Sequence, residues 1–303
     1  MGERTSRLNR WAPRLSQTGN SDSGYGIPCV RMQQTKLHKV SRVRPLSAGC
    51  SVLEVDGPIP QTRAGQFYML RTENQWPVML PRPFSLYSRA EDGRNGAFLL
   101  KAIGPGTEAL VACRAGDRVW ITGPLGRSFP ADVPNPVCVA GGIGLAPFLL
   151  LAEERRDRGD SPPRLVFGGR TVAHLAGMND FDSLAELHTC TDDGSHGSRG
   201  LVTDLMEELL QRGVVKSGET VFCCGPDPMM AAVARLCAAN ELRCFLSLET
   251  YMACGYGVCN GCTVPVQGER FRGWPYSKAC IQGPVYEASE LRDLKHPPPA
   301  LRK

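Results

Sequence analysis

The sequence predicts a β-barrel followed by a doubly wound parallel sheet and a small cysteine-rich segment. Between residues 35 and 133, short apolar runs alternate with Gly and Pro turns, which is typical of a small barrel or sandwich. Between 134 and 243, strand patterns alternate with helical ones, which predicts a parallel sheet with helices on both faces. Three cysteines then fall within residues 254–262. We therefore expect domains at 35–133, 134–243 and 244–303.

The composition is that of an ordinary globular protein. Hydrophobic residues make up 42% of the 303 residues and charged residues 21%, so a substantial core needs no disulfides. The net charge of +5 comes largely from the two ends, and no basic patch is interleaved with aromatics, which argues against nucleic-acid binding. The longest nearly apolar run, 137–152, is interrupted by glycines and a proline and is too short to span a membrane.

Residues 1–34 are expected to form a disordered extension, because they mix Arg, Ser, Asn and Gly with little periodicity. An Arg-rich, acid-poor start is also compatible with a transit peptide, and translation from Met32 would omit the segment.

Nine of the 13 cysteines, Cys138, Cys190 and Cys237 among them, stand among apolar neighbours. These nine predict reduced core thiols and a cytoplasmic protein.

In the β domain, strands are expected at 50–55, 66–70, 97–102 and 118–122. The stretch "PRPFSLYS" then offers Arg82 to neutralise a pyrophosphate and Ser85 to donate to a flavin ring, while Pro83 and Phe84 would stiffen the strand. In "GPGT", Gly106 and Thr107 would form a tight turn that cradles phosphate. Each motif can also be explained without any ligand: the first as a Pro-rich strand and the second as a hairpin turn. Together, ahead of a dinucleotide fold, they favour a flavin.

The α/β domain begins with "AGGIGLAPF" after a buried strand at 137–140. A glycine turn that opens a helix can bind a dinucleotide pyrophosphate, so Gly141, Gly142 and Gly144 are candidate contacts. The turn departs from G-x-G-x-x-G, because Ala146 and Pro147 stand where the third glycine would fall.

A second motif, "CGPDPMM", follows a later strand and should lie at the ligand-binding edge of the sheet. It adds Gly225 and Pro226 as candidate nucleotide contacts, and Cys224 as the candidate catalytic residue beside a nicotinamide ring. The alternative for Cys224 is a buried thiol at a strand end. The next helix is expected to have Asp227 as its N-cap and Pro228 at its first position.

Two further segments belong to the predicted α/β domain. The helix "LVTDLMEELLQRG" should present Leu201, Leu205 and Leu209 on one stripe. In the loop "TDDGSHGSRG", Asp192 or Asp193 could bind a ribose, although the sequence favours a solvated turn for either residue taken singly.

The cysteine pattern carries the most specific signal. Cys254-x4-Cys259-x2-Cys262, with Cys280 further on, is the plant-type spacing for a [2Fe–2S] cluster. The interleaved glycines allow positive φ and let backbone N–H groups approach the cluster sulfides. The alternatives are a structural zinc site or a disulfide pair, although zinc usually takes two short-spaced cysteine pairs.

These motifs resemble the ferredoxin–NADP reductase superfamily and, within it, the electron-transfer subunits of dihydroorotate dehydrogenase type B. The resemblance covers about residues 36–290. It rests on "RPFS", "GPGT", "GGIGLAP" and "CGPDPMM", and most specifically on "SLETYMACGYGVCNGC" with "CIQGPVY".

The resemblance implies a Greek-key FAD-binding barrel, an NAD-binding α/β domain and a small [2Fe–2S] domain. The implied cofactors are FAD, NAD and the cluster. The implied FAD contacts are Arg82, Pro83, Phe84, Ser85, Leu99, Leu100, Lys101, Gly106 and Thr107, and the implied cluster ligands are Cys254, Cys259, Cys262 and Cys280.

The resemblance also implies a partner, an FMN-containing catalytic dehydrogenase subunit that oxidises dihydroorotate to orotate in pyrimidine biosynthesis. Electrons would pass from that FMN through the cluster and FAD to NAD⁺, within a hetero-oligomer such as a heterotetramer. Arg170 and Arg199 leave NADP open as the nucleotide. Other possible functions are a reductase subunit of a ferredoxin:NADP oxidoreductase or sulfhydrogenase-type complex, and a non-enzymatic zinc-stabilised binding module.

Three features depart from the family pattern. Tyr251 stands where many relatives carry Arg. Seventeen residues separate Cys262 from Cys280, which predicts an enlarged loop around Trp274. The N-terminal extension is the third departure.

Overall fold

A computed structural model describes residues 34–90 and 92–292 of the chain. These residues form two seven-stranded sheets and one two-stranded sheet. Of the expected extension, only Gln34 is described, and it is the first residue of a strand; residues 1–33 and 293–303 lie outside the described part. No helix among the described residues combines the length and the apolar character needed to cross a bilayer.

The first sheet is antiparallel throughout and covers the predicted β domain. Its strands alternate buried and exposed side chains where one face is solvated, as in Arg118–Leu125. They are β1 (Gln34–Pro45), β2 (Cys50–Asp56), β3 (Phe67–Thr72), β4 (Arg82–Ser85), β5 (Ser88–Arg89), β6 (Asn95–Lys101) and β7 (Arg118–Leu125), with helix α1 (Pro105–Val111) between β6 and β7.

The strand order of this sheet is β4-β3-β7-β1-β2-β6-β5, and the sheet curls into a half-barrel. Strand β7 returns to lie between β3 and β1, which is a Greek-key type of connection. The two outermost strands, β4 and β5, are consecutive in the chain. The inner face of the curl is apolar and closes on a core that includes Val40, Leu53, Tyr68, Leu70, Phe98, Leu100, Val119 and Ile121.

The second sheet is parallel except for its last strand, and it confirms the predicted doubly wound class. Its strands are β8 (Val137–Gly141), β9 (Arg164–Gly169), β10 (Glu186–Thr191), β11 (Ser198–Arg199), β12 (Thr220–Cys224), β13 (Arg243–Ser247) and β16 (Val285–Glu287). Its helices are α2 (Ala146–Arg158), α3 (Val202–Gln211) and α4 (Asp227–Ala239), with 3-10 turns at Gly142–Leu145, Val172–His174 and Met178–Phe181.

The strand order β11-β10-β9-β8-β12-β13-β16 places the topological switch point at β8 and β12. The chain runs from β8 outward through β9 and β10 on one side, then returns to β12 and β13 on the other. Ligands of such sheets bind beyond the carboxyl ends of the strands at this point. Both glycine-containing motifs follow these two strands, so the topology brings them together. The predicted boundary at residue 243 falls inside the sheet, since β13 continues to Ser247.

Two sequence expectations about helices are wrong in detail. Leu201 is 56% exposed and precedes α3, while Leu205 and Leu209 are buried; Leu201 has extended backbone angles, so its side chain leaves the helical stripe. Helix α4 is capped by Pro226 rather than Asp227. Pro226 has non-helical angles (φ −56°, ψ 140°), so the helix begins one residue earlier than expected.

The C-terminal segment forms a hairpin and a short helix between β13 and β16. It contains β14 (Thr263–Pro265), β15 (Tyr276–Lys278) and α5 (Ala279–Gln282), with 3-10 turns at Glu269–Phe271 and Ala288–Glu290. Its apolar residues pack on the core of the parallel sheet, because short elements bring together side chains that are scattered in sequence, namely Val264, Val266, Phe271, Tyr286 and Leu291.

Candidate redox site

The "RPFS" motif forms the edge strand β4, and its four side chains are half-buried. Strand β4 pairs with β3, where Pro83 lies opposite Met69. Arg82 Nη1 donates to the Leu80 carbonyl oxygen at 2.8 Å, so the guanidinium is held at the start of the strand. An edge strand leaves one row of backbone groups without a strand partner. This row gives β4 the means to bind a planar ligand.

The other predicted flavin contacts lie close to this edge but differ in how they could act. Leu99 and Leu100 on β6 are 2% and 0% exposed. Their side chains belong to the protein core, so any contact with a ligand falls to their backbone. Lys101 is half-buried at the end of the same strand.

The "GPGT" motif opens a helix, α1, rather than forming an isolated turn. Thr107 Oγ1 accepts hydrogen bonds from the backbone N–H groups of Ile103 at 2.9 Å and Gly104 at 3.1 Å, and donates to the Gly104 carbonyl at 2.9 Å. A Cβ atom at Gly106 would lie 3.1 Å from the Trp76 ring. The hydroxyl of Thr107 therefore organises the turn, and Gly106 allows the Trp76 loop to close over it.

The glycine turn after β8 assigns different tasks to its three glycines. A Cβ at Gly144 would lie 2.2 Å from the Cys224 carbonyl oxygen, and one at Gly141 would lie 2.4 Å from Met229 Sδ. These two glycines accommodate protein neighbours. Gly142 has φ +54° and nothing within 4 Å of its Cβ position, so it is the glycine that a nucleotide can approach.

Cys224 ends β12 and lies against this turn. Its side chain is 5% exposed and its thiol hydrogen-bonds to Ser247. Burial raises the pKa of the Cys224 thiol, and the nearby Glu249 carboxylate raises it further. Cys224 is therefore a neutral thiol, suited to contact a ring but not to attack as a thiolate. Gly225 and Pro226 follow it directly, and a Cβ at Gly225 would lie 2.5 Å from Met229 Cε.

Sequence reasoning missed two polar residues beside this edge. Ser247 is 4% exposed. Its place as a polar residue at the carboxyl end of the apolar strand "CFLS" is the sequence feature that could have identified it. Thr250 has a buried Oγ1 atom with no hydrogen-bond partner. A buried hydroxyl without a partner is costly, so Thr250 fits a ligand that offers a polar atom here.

The loop "TDDGSHGSRG" lies at the same sheet edge, after β10. Asp193 Oδ1 accepts from the Ser195 hydroxyl at 2.6 Å and from its N–H at 3.0 Å, which closes a local turn. Arg170 Nη2 lies 3.2 Å from His174 Nε2. Asp192 and Asp193 are exposed, so their proposed role in binding ribose stays a prediction.

The four C-terminal cysteines lie as two pairs. Cys262 Sγ and Cys280 Sγ are 3.2 Å apart, which is longer than a disulfide bond. Cys254 forms a hydrogen bond with the Cys259 side chain. All twelve described cysteines are free thiols. No three Cys, His, Asp or Glu side chains within residues 34–90 and 92–292 are grouped closely enough to share one metal ion.

Backbone donors surround the cysteine sulfurs. Gly261 N–H points to Cys259 Sγ at 3.4 Å, and Cys280 N–H points to Cys262 Sγ at 3.4 Å. The hydrogen bond between the Cys262 and Cys280 side chains lowers the pKa of the Cys262 thiol to about 6. The same bond raises the pKa of the Cys280 thiol. Burial opposes ionisation of Cys254, but backbone N–H groups of Cys259 and Tyr256 lower its pKa to about 7.

The cysteine loop packs directly on the barrel. A Cβ at Gly255, which has φ +80°, would lie 2.7 Å from Met69 Cγ and 3.2 Å from Leu125 Cδ1. Met69 pairs with Pro83 of the "RPFS" strand. The segment after Cys280 joins the same end of the barrel, where Arg127 N–H donates to the Gly283 carbonyl at 2.6 Å. Strand β4 therefore lies one strand away from the cysteine loop.

Solved structures with a similar fold include several that are named as reductases. The structure of an NADH-dependent reduced ferredoxin–NADP oxidoreductase matches with a TM-score of 0.72 and 24% identity, over 84% of this chain and 89% of that chain. Phthalate dioxygenase reductase matches with a TM-score of 0.57 and 15% identity, over 85% and 96%. These matches show that the barrel and the parallel sheet have the fold of ferredoxin reductases.

Sequence comparisons narrow the class. Residues 249–292 match the model of the iron–sulfur cluster binding domain of dihydroorotate dehydrogenase B, and residues 138–235 match the oxidoreductase NAD-binding domain. The dihydroorotate dehydrogenase B (NAD⁺) electron transfer subunit of Clostridium acetobutylicum is 36% identical over 76% of this chain and 87% of its own length. That of a Geobacillus species is 31% identical over 86% and 99%. The chain belongs to the family of dihydroorotate dehydrogenase B electron transfer subunits.

Proposed function

We propose that this chain transfers electrons between NAD(H) and a catalytic partner subunit, and so supports the oxidation of dihydroorotate to orotate in pyrimidine biosynthesis. The observation that carries the proposal is the packing of Gly255, in the cysteine loop, on the strand that neighbours "RPFS". Such a relay needs groups that exchange one and two electrons within a short distance of each other. The 87% and 99% coverage of the two relatives' own lengths supports a shared role.

The donor set of the C-terminal loop fits a [2Fe–2S] cluster. Four thiols lie as two pairs, Cys254 with Cys259 and Cys262 with Cys280, which suits two irons better than one zinc ion. Backbone N–H groups already point at Cys259 and Cys262, and such donors stabilise an anionic cluster. The four cysteines would hold the cluster, which supplies one-electron exchange.

The barrel edge fits FAD. Arg82 would neutralise its pyrophosphate, and the backbone of Pro83, Phe84 and Ser85 would bind the ring system. The turn around Gly106 and Thr107 would hold phosphate. FAD, when bound, exchanges both single electrons and hydride.

The carboxyl edge of β8 and β12 would bind NAD(H). Gly142, which is open to a ligand, would face its pyrophosphate, while Gly141 and Gly144 would keep the turn packed against Met229 and the Cys224 backbone. Gly225, Pro226 and Cys224 would face the nicotinamide. The buried, neutral thiol of Cys224 would keep water away from that ring.

The first test is an absorption spectrum of the anaerobically purified protein, with iron and sulfide assays, before and after NADH. We expect flavin and cluster bands that bleach with NADH, and about two irons per chain. A colourless protein that carries zinc and does not respond to NADH would overturn the proposal.

The relay itself is tested with Cys259→Ser, since Cys259 is the exposed cysteine of the four. We expect NADH to reduce the flavin at the normal rate, while electron delivery to the partner subunit falls at least tenfold. Cys113→Ser, at a half-buried thiol of the barrel, is the matched control. Unchanged delivery to the partner in Cys259→Ser would contradict a route through the cysteine loop.

The partner is proposed to be an FMN-containing subunit, with which this chain would form a hetero-oligomer. Exposed apolar side chains occur in the cysteine loop, at Tyr256 and Val258, and in the hairpin that follows it, at Trp274 and Tyr276. Aromatic residues of this kind are enriched at protein interfaces, which supports docking of the partner beside the exposed Cys259.

A further inference from the structure

A polar cluster joins the barrel to the parallel sheet. Asp180 lies in the 3-10 turn between β9 and β10. Its Oδ2 atom accepts hydrogen bonds from Arg44 Nη2 at 2.7 Å and from the Tyr87 hydroxyl at 2.8 Å. Arg44 belongs to β1 of the barrel, and Tyr87 stands two residues after Ser85. We call Arg44, Tyr87 and Asp180 the Asp180 cluster.

The cluster lies in a mostly apolar interface. Tyr87 is 1% exposed, and it packs with apolar residues of both sheets. The side chains of Arg44 and Asp180 are 29% and 22% exposed. Burial raises the pKa of the Tyr87 hydroxyl, which therefore remains a hydrogen-bond donor. The Tyr87 hydroxyl also lies 3.4 Å from the Gly177 carbonyl oxygen, and Arg44 Nε lies 4.0 Å from Glu54 Oε1. Asp180 is the group that joins Arg44 to Tyr87, and neutralising its carboxylate would weaken both of its hydrogen bonds.

The cluster connects the two candidate cofactor sites through direct contacts. A Cβ at Gly177, which has φ +86°, would lie 2.8 Å from the Tyr87 hydroxyl oxygen and 3.3 Å from Leu145 Cδ2. Leu145 directly follows Gly144 in the nucleotide turn. Packing is thus continuous from the "RPFS" strand through Tyr87 and the 177–181 segment to the nucleotide turn.

A second contact fixes the same segment. The Ser47 hydroxyl, in the loop after β1, donates to the Ala173 carbonyl at 2.7 Å. The segment between β9 and β10 is therefore attached to the barrel at two points, Ala173 and Asp180. On the barrel side, Ser47 follows β1, Arg44 lies in β1, and Tyr87 directly precedes β5.

We propose that the Asp180 cluster is a positioning device that sets the distance between the "RPFS" strand and the nucleotide turn. The proposal rests on the proposed function, because that distance matters for hydride transfer. A hydride takes two electrons and one proton from NADH to the flavin, which gains one further proton from solvent. Rates of such transfers fall steeply with misplacement, and about 1 Å can cost about a hundredfold.

The test compares Asp180→Asn and Tyr87→Phe with the control Asp182→Asn in the holoprotein. Tyr87→Phe keeps the buried ring and removes only the hydroxyl, and Asp182 is an exposed residue two positions along. Anaerobic rapid mixing with NADH measures the limiting rate of flavin reduction and the NADH dissociation constant. We expect the limiting rate to fall about ten- to hundredfold in Asp180→Asn, with NADH affinity within about twofold of the unmodified protein.

A second readout does not depend on turnover. Hydrogen–deuterium exchange of the protein without NADH should be faster at 172–181 and 82–89 in Asp180→Asn and Tyr87→Phe, and unchanged in Asp182→Asn. A network that only stabilises the fold would lower the melting temperature and leave the limiting rate unchanged.

Three outcomes overturn the proposal. The first is a limiting rate within twofold of the unmodified protein in both variants. The second is an equal loss of rate and NADH affinity, which would mean that the nucleotide site itself is damaged. The third is unchanged exchange at 172–181. If Asp180→Asn does not retain FAD, Tyr87→Phe decides alone. Failure of NADH to reduce the unmodified protein would instead overturn the proposed function.

Discussion

Gly142 and Gly144 share one turn, yet each requires glycine for a different reason. Gly142 has φ +54° with open space around it, whereas Gly144 is pressed against the backbone of Cys224. A positive φ strains any residue with a side chain, while a close backbone approach excludes Cβ by its volume alone. The same letter in the sequence therefore marks a ligand-facing position in one case and a packing position in the other.

Gly144→Ala tests the packing role. The new Cβ would lie 2.2 Å from the Cys224 carbonyl oxygen and 2.6 Å from Gly225 N, so the backbone must shift. We expect a loss of about 1–3 kcal/mol or more in the free energy of unfolding, measured in urea. The control is Gly104→Ala, at a position with extended backbone (φ 173°) and no atom within 4 Å. Equal stability of the two variants would contradict this interpretation.

Glu154 gives a pH-dependent prediction. Burial raises its pKa from 4.5 to about 7, although the Ala64 N–H and the cations Arg158, Arg63 and Arg89 partly offset this. The folded state thus favours the protonated carboxyl group. Stability from this group is fully present below pH 4.5 and is lost as the pH rises through about 7.

Glu154→Gln should remove that dependence. We expect the variant to gain stability relative to the unmodified protein as the pH rises from 5 to 8, by at most ~3 kcal/mol and by less if water reaches the group. Urea unfolding across this range measures it. Glu208→Gln, at an exposed residue of α3, is the control. A pH-independent difference between Glu154→Gln and the unmodified protein would show that Glu154 has an ordinary pKa.

At the scale of elements, the β14–β15 hairpin has one buried and one exposed side. Val264 and Phe271 are 2% and 3% exposed, whereas Trp274 and Tyr276 are 73% and 61% exposed. The enlarged loop expected around Trp274 is therefore anchored by its own apolar residues. Its aromatic side chains are left at the surface.

Trp274→Ala tests the hairpin as a docking element. We expect about tenfold or greater loss of affinity for the catalytic partner, as for aromatic hot spots at interfaces, measured by titration calorimetry. The absorption spectrum and the reduction by NADH should not change. Leu201→Ala, at a 56% exposed residue that precedes α3, is the control. Equal affinities for the two variants would place the interface elsewhere.

At the scale of the whole molecule, the C-terminal segment is not an independent unit. One apolar cluster contains Met69 of the barrel, Val139 of the parallel sheet and Val264 of the hairpin. The three expected domains therefore share buried surface, and the cysteine loop is held by the other two. Because of this shared core, we expect the structural effect of losing a bound cluster to stay close to the cysteine loop.

Removal of iron should accordingly loosen only part of the segment. We expect faster hydrogen–deuterium exchange at 253–262, where the four-cysteine site would lose its metal, and little change in the hairpin or in β13, which remain packed. The comparison is between holoprotein and protein treated anaerobically with a chelator. Exchange that rises across the whole of 249–292 would mean that the cluster, rather than the shared core, holds the segment together.

The sequence alone determined the fold class and the cysteine pattern, because these depend on local periodicity and short spacing, while the family followed from the resemblance of its motifs. Runs such as Val137–Ala140 predict strands directly, and Cys254, Cys259 and Cys262 lie within nine residues. Local pattern failed for Leu201 at the start of α3, because its extended backbone turns the side chain away from the helical stripe.

Only the tertiary structure decided how the distant segments meet. It brought Gly255 onto Met69, Gly144 onto Cys224, and Asp180 onto Tyr87. These contacts join residues that are roughly 80 to 190 positions apart, and no local pattern encodes them. Their physical basis is the packing of two sheets and a loop around shared apolar cores, which selects partners by shape and burial rather than by sequence distance.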